Sequence, residues 1–547
     1  MAITETDTPG RPGALRRGRR KDTGETGTGR IGARADRVEV PVLACLFMAL
    51  MAVPASAFFS LGGLALSPLR IFLILVTVPA ILGFLSAHRL RNWDYLFFGA
   101  VCWYCFCNIL SRGLGQGVEF SGIYFVQSIG TYCLVQISIR RVEQIDIVFR
   151  VGFLIVLFLL PFAAYESYTG HRVLTEFFTA IFGFEPRMQD DRRLGLLRAA
   201  ASFAHPILFG VFCATIFSFV WYSASSMPVR LAKALIVGLA TFFSVSSGSY
   251  LTLVLQILLI VGESQSRWVP NRAKLLFWAL LTAYVFLEFA ANSGPFGVLA
   301  NYLTLNPGTA HYRIATWNHG IDDVMRHPIF GFEASNWTRP HWMAPSVDNQ
   351  WLVMMMRGGL PTAGLLILSL ILMLRTLMLE PDARVSPAFA RLRRAALYAI
   401  VALCFAGATV AFFDKLEPLF AFFIGIAAVL ARMDPATGRM PEAPTRRERR
   451  AGARPAKAPR PLRRAGLRVG AAGTGPQDAG TGDGADADET DAAEAGAEAP
   501  PKPKFRNLAR EGLPPSAPGG PDLSAGDQPS GRRGGPASGA RRPIRPR

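Results

Sequence analysis

The chain predicts an all-α, polytopic membrane protein with about twelve transmembrane helices and one large extracytoplasmic loop. Three observations predict it. Of the 547 residues 51% are hydrophobic although both ends are visibly polar, so the middle is far more apolar than the mean hydropathy of +0.28. Apolar runs of roughly 17–25 residues, the length that crosses a bilayer as a helix, recur between residues 40 and 433, without the roughly 10-residue alternating strands of a membrane barrel. Basic residues gather in every second connection between those runs, which orients the chain by the positive-inside rule.

Residues 1–38, rich in Gly, Thr and Arg, bury too little apolar surface to offset chain entropy and predict a disordered, basic cytoplasmic N-terminus. The membrane domain then occupies 39–433, with spans near 40–58, 69–87, 94–112, 118–138, 146–165, 204–222, 231–246, 248–263, 274–292, 351–375, 396–413 and 417–433. Ala55-Ser56-Ala57 has the form of a signal-peptidase site. The polar leader of roughly 40 residues exceeds a whole signal peptide, so an uncleaved anchor is expected. The seventh and eighth spans are short and meet at Ser246-Ser247-Gly248-Ser249, which leaves either two helices or one bent or re-entrant element.

Arg16 to Lys21, Arg89 and Arg91, Arg140 and Arg141, Arg230 and Lys233, Arg267 to Lys274, and Arg391 to Arg394 fall before the first span and in alternate connections. Those connections and both termini are expected on the cytoplasmic side, and 166–203 and 294–350 outside. Residues 434–547 combine Pro, Gly and Ala with basic runs and an acidic patch around Asp478 to Glu498, predicting a disordered cytoplasmic tail. The net charge of +19 therefore reports orientation and a lipid bilayer as partner, not nucleic acid.

Seven cysteines lie in apolar stretches and indicate no disulfide framework. Cys102 and Cys105 form a CxxC whose neighbours are apolar, so no metal is expected there. Apart from Arg150, Glu288 and Arg357, each near a span end, no ionisable side chain is expected deep in a span, which speaks against an ion-coupled carrier. No GxxxxGK[ST] loop is present to drive an ATP-dependent pump.

The loop 294–350 is far longer than the roughly 2–8 residues that connect packed helices. It holds or borders four of the seven histidines and four of the nine tryptophans, which makes it the place to look for chemistry. Ile314, Trp317, Ile321 and Met325 recur at helical spacing with Asp322 and Arg326 on another face, predicting an amphipathic helix that lies on or near the membrane surface and that Pro328 closes. Arg313 and Trp317 stand one turn apart on it, a guanidinium for phosphate beside a ring for a sugar face, or else a solvated arginine on an interfacial helix. His311, His319 and His327 are spaced by eight, whereas zinc-binding helices place ligands three or four apart, so no metal is assigned. The outer loop 166–203 carries Arg187, Asp190, Asp191, Arg192, Arg193 and Arg198, either surface charges or a diphosphate clamp.

Arg313-x-x-x-Trp317, Arg326-His327-Pro328-x-x-Gly331, and Asp348-Asn349-Gln350-Trp351-Leu352 leading into Gly358-Gly359-Leu360-Pro361 resemble the O-antigen ligase and O-antigen polymerase family. Arg198 followed by Ser202-Phe203-Ala204-His205-Pro206 does so too. The resemblance covers 40–433 in topology, with specific motifs only at about 198–210 and 311–364. It implies transfer of a saccharide from an undecaprenyl-diphosphate carrier to a sugar hydroxyl on the outer face of a bacterial inner membrane, without cofactor or metal. It further implies Arg198 and Arg313 on the diphosphate and Asp348 as base, with Trp317, Trp342, Trp351, Arg339, His341, Asn349 and His205 lining the substrate. Asp348 has a second reading as helix N-cap. Family ligases carry a histidine where Asp348 stands and an arginine where this chain reads Ser246 to Ser249. The expected function is therefore polymerisation of repeat units in surface polysaccharide or exopolysaccharide synthesis, with a chain-length regulator or other envelope polysaccharide protein as a possible partner. Ligation to an acceptor, and export of a lipid-linked oligosaccharide, are the alternatives.

Overall fold

Long apolar runs punctuated by Pro, Gly and Ser should give helices with sharp ends, and a computed structural model shows this over the residues it describes: 38–54, 56–61, 64–184, 190–265, 307–379 and 385–441. The expected span 274–292 with Glu288, residue Arg187, residues 294–306 and the tails 1–37 and 442–547 lie outside them. The helices are α1 (Val42–Ala49), α2 (Pro68–Ala87), α3 (Asn92–Arg112), α4 (Leu114–Phe125), α5 (Thr131–Ser138), α6 (Val142–Thr169), α7 (Val173–Phe182), α8 (Pro206–Ser223), α9 (Met227–Phe243) and α10 (Ser247–Gln265). After the gap come α11 (Pro307–Arg326), α12 (Gln350–Leu379), α13 (Pro387–Gly407) and α14 (Leu416–Arg432). Two short antiparallel hairpins, β1 (Phe59–Leu61) with β2 (Leu64–Leu66) and β3 (Arg192–Arg193) with β4 (Leu196–Leu197), complete the set.

Six of these helices, α2, α3, α6, α8, α10 and α12, are long and apolar enough to cross a membrane. Their starts follow local chemistry. Ser67 accepts a hydrogen bond from the Arg70 amide ahead of Pro68, and Ser386 one from the Phe389 amide ahead of Pro387, each with proline where no amide is needed. A π-helical turn, Val126–Gly130, joins α4 to α5, and there the absent side chain of Gly130 lets Thr77 of α2 come close. The seventh and eighth expected spans are two separate helices, α9 and α10, joined by a turn in which Val245 has φ of 40°.

Inter-element hydrogen bonds sort the connections onto two ends of the bundle. At one end His88 meets Arg140, Arg391 donates to the Tyr222 carbonyl, and 434–440 pairs with 140–142 through Met440 N to Arg140 O and Val142 N to Gly438 O. Residues 434–441 are thus ordered, and the folded domain extends past the expected limit at 433. At the other end lie 170–184 and 190–205, the α9–α10 turn, 307–349 and the α13–α14 turn. Ionisable groups at the helix ends are buried and paired. Glu166 in α6 is 2% exposed, and Asp94 of α3 is fully buried in an ion pair with Arg432 of α14. The helices run past the apolar stretches, so flanking charges are drawn in and must pair.

Segment 307–349 wraps on the first turns of α12 and forms a small second core of Val324, Trp337, Met343, Val347, Leu352 and Met356. Its docking point is a break in α12. Gly359 has φ of 67°, and its amide neighbour Leu360 donates to Pro328 O at 2.8 Å. A Cβ on Gly359 would stand 2.1 Å from Ile329 O, and one on Gly331 2.3 Å from Met356 O, so both positions require glycine. On α11 Thr316, Gly320, Asp323 and Val324 are buried against the protein, while Trp317 and Met325 of the apolar stripe are exposed. Gly320 lies close against Leu352 and Met356, where a Cβ would stand 2.7 and 2.6 Å from their side-chain ends. Asp323, not Asp322, pairs with Arg326, at 2.7 Å, and also accepts from the Thr338 amide.

Candidate functional site

The polar end is built on a rigid floor. Glu166, at the end of α6, accepts from the Ala200 and Ala201 amides at 3.1 and 2.9 Å and pairs with Arg172 at 3.1 Å. This holds Ala201 at a φ of 50°, a conformation that side chains rarely adopt. Lys415 donates to the carbonyls of Met51, Val53 and Ser202 at 3.0, 2.5 and 2.6 Å, tying the end of α1 and the segment before α8 to the start of α14. Neither residue was among the expected site residues. Glu166 is a lone charge at the edge of an apolar run and Lys415 stands in a charged turn with Asp414 and Glu417, so each charge is visible in the sequence without its partners.

Over this floor the chain brings Arg198, His205, Arg313 and Asp348 together. Arg198 is 5% exposed; its Nη1 donates to Asp191 at 2.9 Å and its Nε to Ser244 O at 3.5 Å, while Nη2 is buried without a partner. The β3–β4 hairpin, turned tightly by Leu194 and Gly195 at positive φ, sets Arg193 on the same Asp191 carboxylate at 3.1 Å. Arg313 comes from α11, and its Nε is likewise buried without a partner. Burial draws both guanidinium groups below the ordinary arginine value. Arg193 adds to this at Arg198, whereas Asp348 opposes it at both. Asp191 lies below the usual carboxylate range because Arg198 and Arg193 outweigh its own burial.

His205 caps α8, its Nδ1 accepting from the Ile207 amide at 3.2 Å, which leaves the ring proton of the neutral form on Nε2. Burial, and then the field of Arg198, lower its pKa to about 4. Asp348 lies within the field of Arg198, Arg313 and His205, half-buried and, among the described residues, with no hydrogen bond to its carboxylate. It does not cap α12. That role belongs to Asn349, whose Oδ1 accepts from the Leu352 amide at 3.0 Å and whose Nδ2 donates to Ala408 O at 2.9 Å.

Several expected substrate contacts are committed elsewhere. Trp351 points into the bundle, donating from Nε1 to Cys404 O at 2.9 Å with Phe420 edge-on. Arg339 lies over Trp337 and donates to the carbonyls of Met343, Ser335 and Trp337, clipping its own coil together. Asn349, as cap, is a positioning residue at most. Trp317, Trp342 and His341 remain exposed on the segment that carries Arg313, with Trp342 edge-on to Tyr312. Among the described residues no three His, Cys, Asp or Glu side chains come together as metal ligands.

The arrangement has two parts. Two guanidinium groups, each with one buried N–H atom lacking a partner, offer a seat for an anion, since an unsatisfied buried donor is costly and an oxyanion would relieve it. Beside them stands the Asp348 carboxylate. No protein-family model matches this chain, and a search of the curated proteins finds no relative.

Proposed function

We propose that this protein is an inner-membrane glycosyltransferase that polymerises undecaprenyl-diphosphate-linked repeat units of a surface polysaccharide or exopolysaccharide, as the resemblance to the O-antigen ligase and polymerase family implies. About twelve crossings, both termini cytoplasmic and 294–350 outside belong to this reading. The observation that carries it is the convergence of Arg198 and Arg313, from distant segments, on one place beside Asp348, each with a buried guanidinium nitrogen lacking a partner. In the reaction an acceptor hydroxyl attacks the anomeric carbon of the donor. As that bond forms, the carbon–oxygen bond to the diphosphate breaks, the hydroxyl proton passes to Asp348, and the diphosphate leaves with the bonding pair. Arg198 and Arg313 offset the charge that develops on it. Neutral His205 contributes an N–H at the same place.

Lipid-carrier analysis after deletion of the gene tests the reading. Single repeat units accumulating on the carrier are expected. Long chains left on the carrier would mean a ligase instead, and an unchanged carrier pool on the outer leaflet would mean neither.

A further inference from the structure

A polymerase must hold two lipid-linked saccharides at once, and the site above seats one diphosphate. We infer that a second seat for an isoprenoid phosphate lipid lies on the opposite side of the start of α12, formed by Arg112, Arg357 and the groove between α2 and α4. This inference rests on the proposed reaction for its biological sense, but on separate residues for its structure.

Arg112, at the end of α3, and Arg357, seven residues into α12, both lie over the ring of Phe120, at 4.5 and 5.0 Å from its centroid. In each the Nε is buried without a partner, and among the described residues neither forms an ion pair with a carboxylate. Arg357 is further held by the Tyr104 hydroxyl at 3.4 Å, and Glu417 of α14 contributes its field from behind. Two like charges sharing one ring repel, and the ring offsets each only in part. An anion between them would satisfy both, as it would at Arg198 and Arg313.

The groove supplies the other half of a lipid. Its volume is about 530 Å³, within the range of ligand pockets, and its walls are largely apolar, including Leu66, Ile74, Leu114, Val118 and Val126. Arg70 lines it, with Glu119 exposed on the α4 side. Leu114 of the groove stands two residues after Arg112 across the Gly113 turn, and Arg70 of the groove shares the field of Glu417 with Arg357. Apolar walls with cations at the head match an isoprenoid chain with a phosphate. Arg357 lies about 10 Å along α12 from its first residue, so the two anion seats flank one helix start. Donor and acceptor sugars could then meet over Asp348.

The test is native mass spectrometry of the full-length protein in detergent with undecaprenyl phosphate as probe. Wild type is expected to bind two equivalents. Arg112→Gln with Arg357→Gln should bind one, and so should Gly122→Phe, because a Cβ at Gly122 meets nothing within 4 Å and the ring enters the groove without disturbing the bundle. Each should weaken the second binding at least tenfold. Two equivalents retained by both variants would overturn the inference, as would a single equivalent in wild type that neither variant affects. Displacement of the second equivalent by equimolar phosphatidylglycerol would also overturn it, since the seat would then be one for any anionic lipid. Arg198→Ala with Arg313→Ala should remove the other equivalent. If that pair has no effect while Arg112 and Arg357 do, the proposed reaction centre fails and the second seat stands.

Discussion

Arg198 and Arg313 each leave one buried N–H atom unsatisfied, and buried cations do not stay so without cause. Arg198→Ala and Arg313→Ala should each abolish polymer while membrane abundance stays near normal. Lysine should rescue poorly, because a point charge does not reproduce a two-pronged contact. Quantifying polymer against immunoblotted protein decides it, and full activity of Arg313→Lys would show that positive potential alone suffices. With Asn349 as the cap, Asp348→Asn and Asp348→Ala should both keep abundance and both lose about 10²–10⁴-fold in turnover. Wild-type turnover by Asp348→Asn would remove it as the base.

His205 gives a pH dependence whose sign is fixed. Its folded-state pKa of about 4 lies below its ordinary value of 6.5, so the unfolded chain takes up the proton first. The stability contributed by the neutral ring is therefore complete above about pH 6.5 and lost as pH falls toward 4. Thermal unfolding in detergent should show wild type losing more stability over that window than His205→Asn, which keeps a capping side chain but does not titrate. The four residues that converge were legible as motif positions. The commitments of Asn349, Trp351 and Arg339 were not, because residue type does not tell which partner an N–H finds. Lys415 and Glu166 were invisible as site-builders for the same reason, since their partners are backbone groups far away in the chain.

At the level of elements, the break in α12 is what carries the polar segment. Gly359→Ala should cost more than the roughly 1–3 kcal/mol of a strained backbone alone, because the added carbon also collides with Ile329 O. Gly364→Ala on the same helix meets nothing within 4 Å and should be neutral or gain about 0.5–1 kcal/mol. Melting temperatures of the two variants check this, and equal values would mean that the segment is not pinned at the break. Periodicity was legible as far as the helix itself: the stripe of Ile314, Trp317, Ile321 and Met325 pointed to a helix, and Trp317 and Met325 stand exposed on it. The close contact at Gly320 was not legible, because a missing side chain adds nothing to an apolar pattern.

For the whole molecule, hydropathy made six membrane-length helices legible among the described residues, and contacts gather 88, 140–142, 386 and 434–440 at one end. The pairing of buried charges across helices, such as Asp94 with Arg432, was not legible, since it depends on which helices are neighbours. A phosphatase fused near residue 320 should be active and one near 385 inactive; the reverse would invert the orientation. The most direct measurement of the central claim is turnover by the purified protein in liposomes supplied with undecaprenyl-diphosphate-linked repeat units. Products of two or more units with release of undecaprenyl diphosphate are expected from wild type and none from Arg198→Ala with Arg313→Ala. Absence of any product from wild type, or equal product from the double variant, would contradict it.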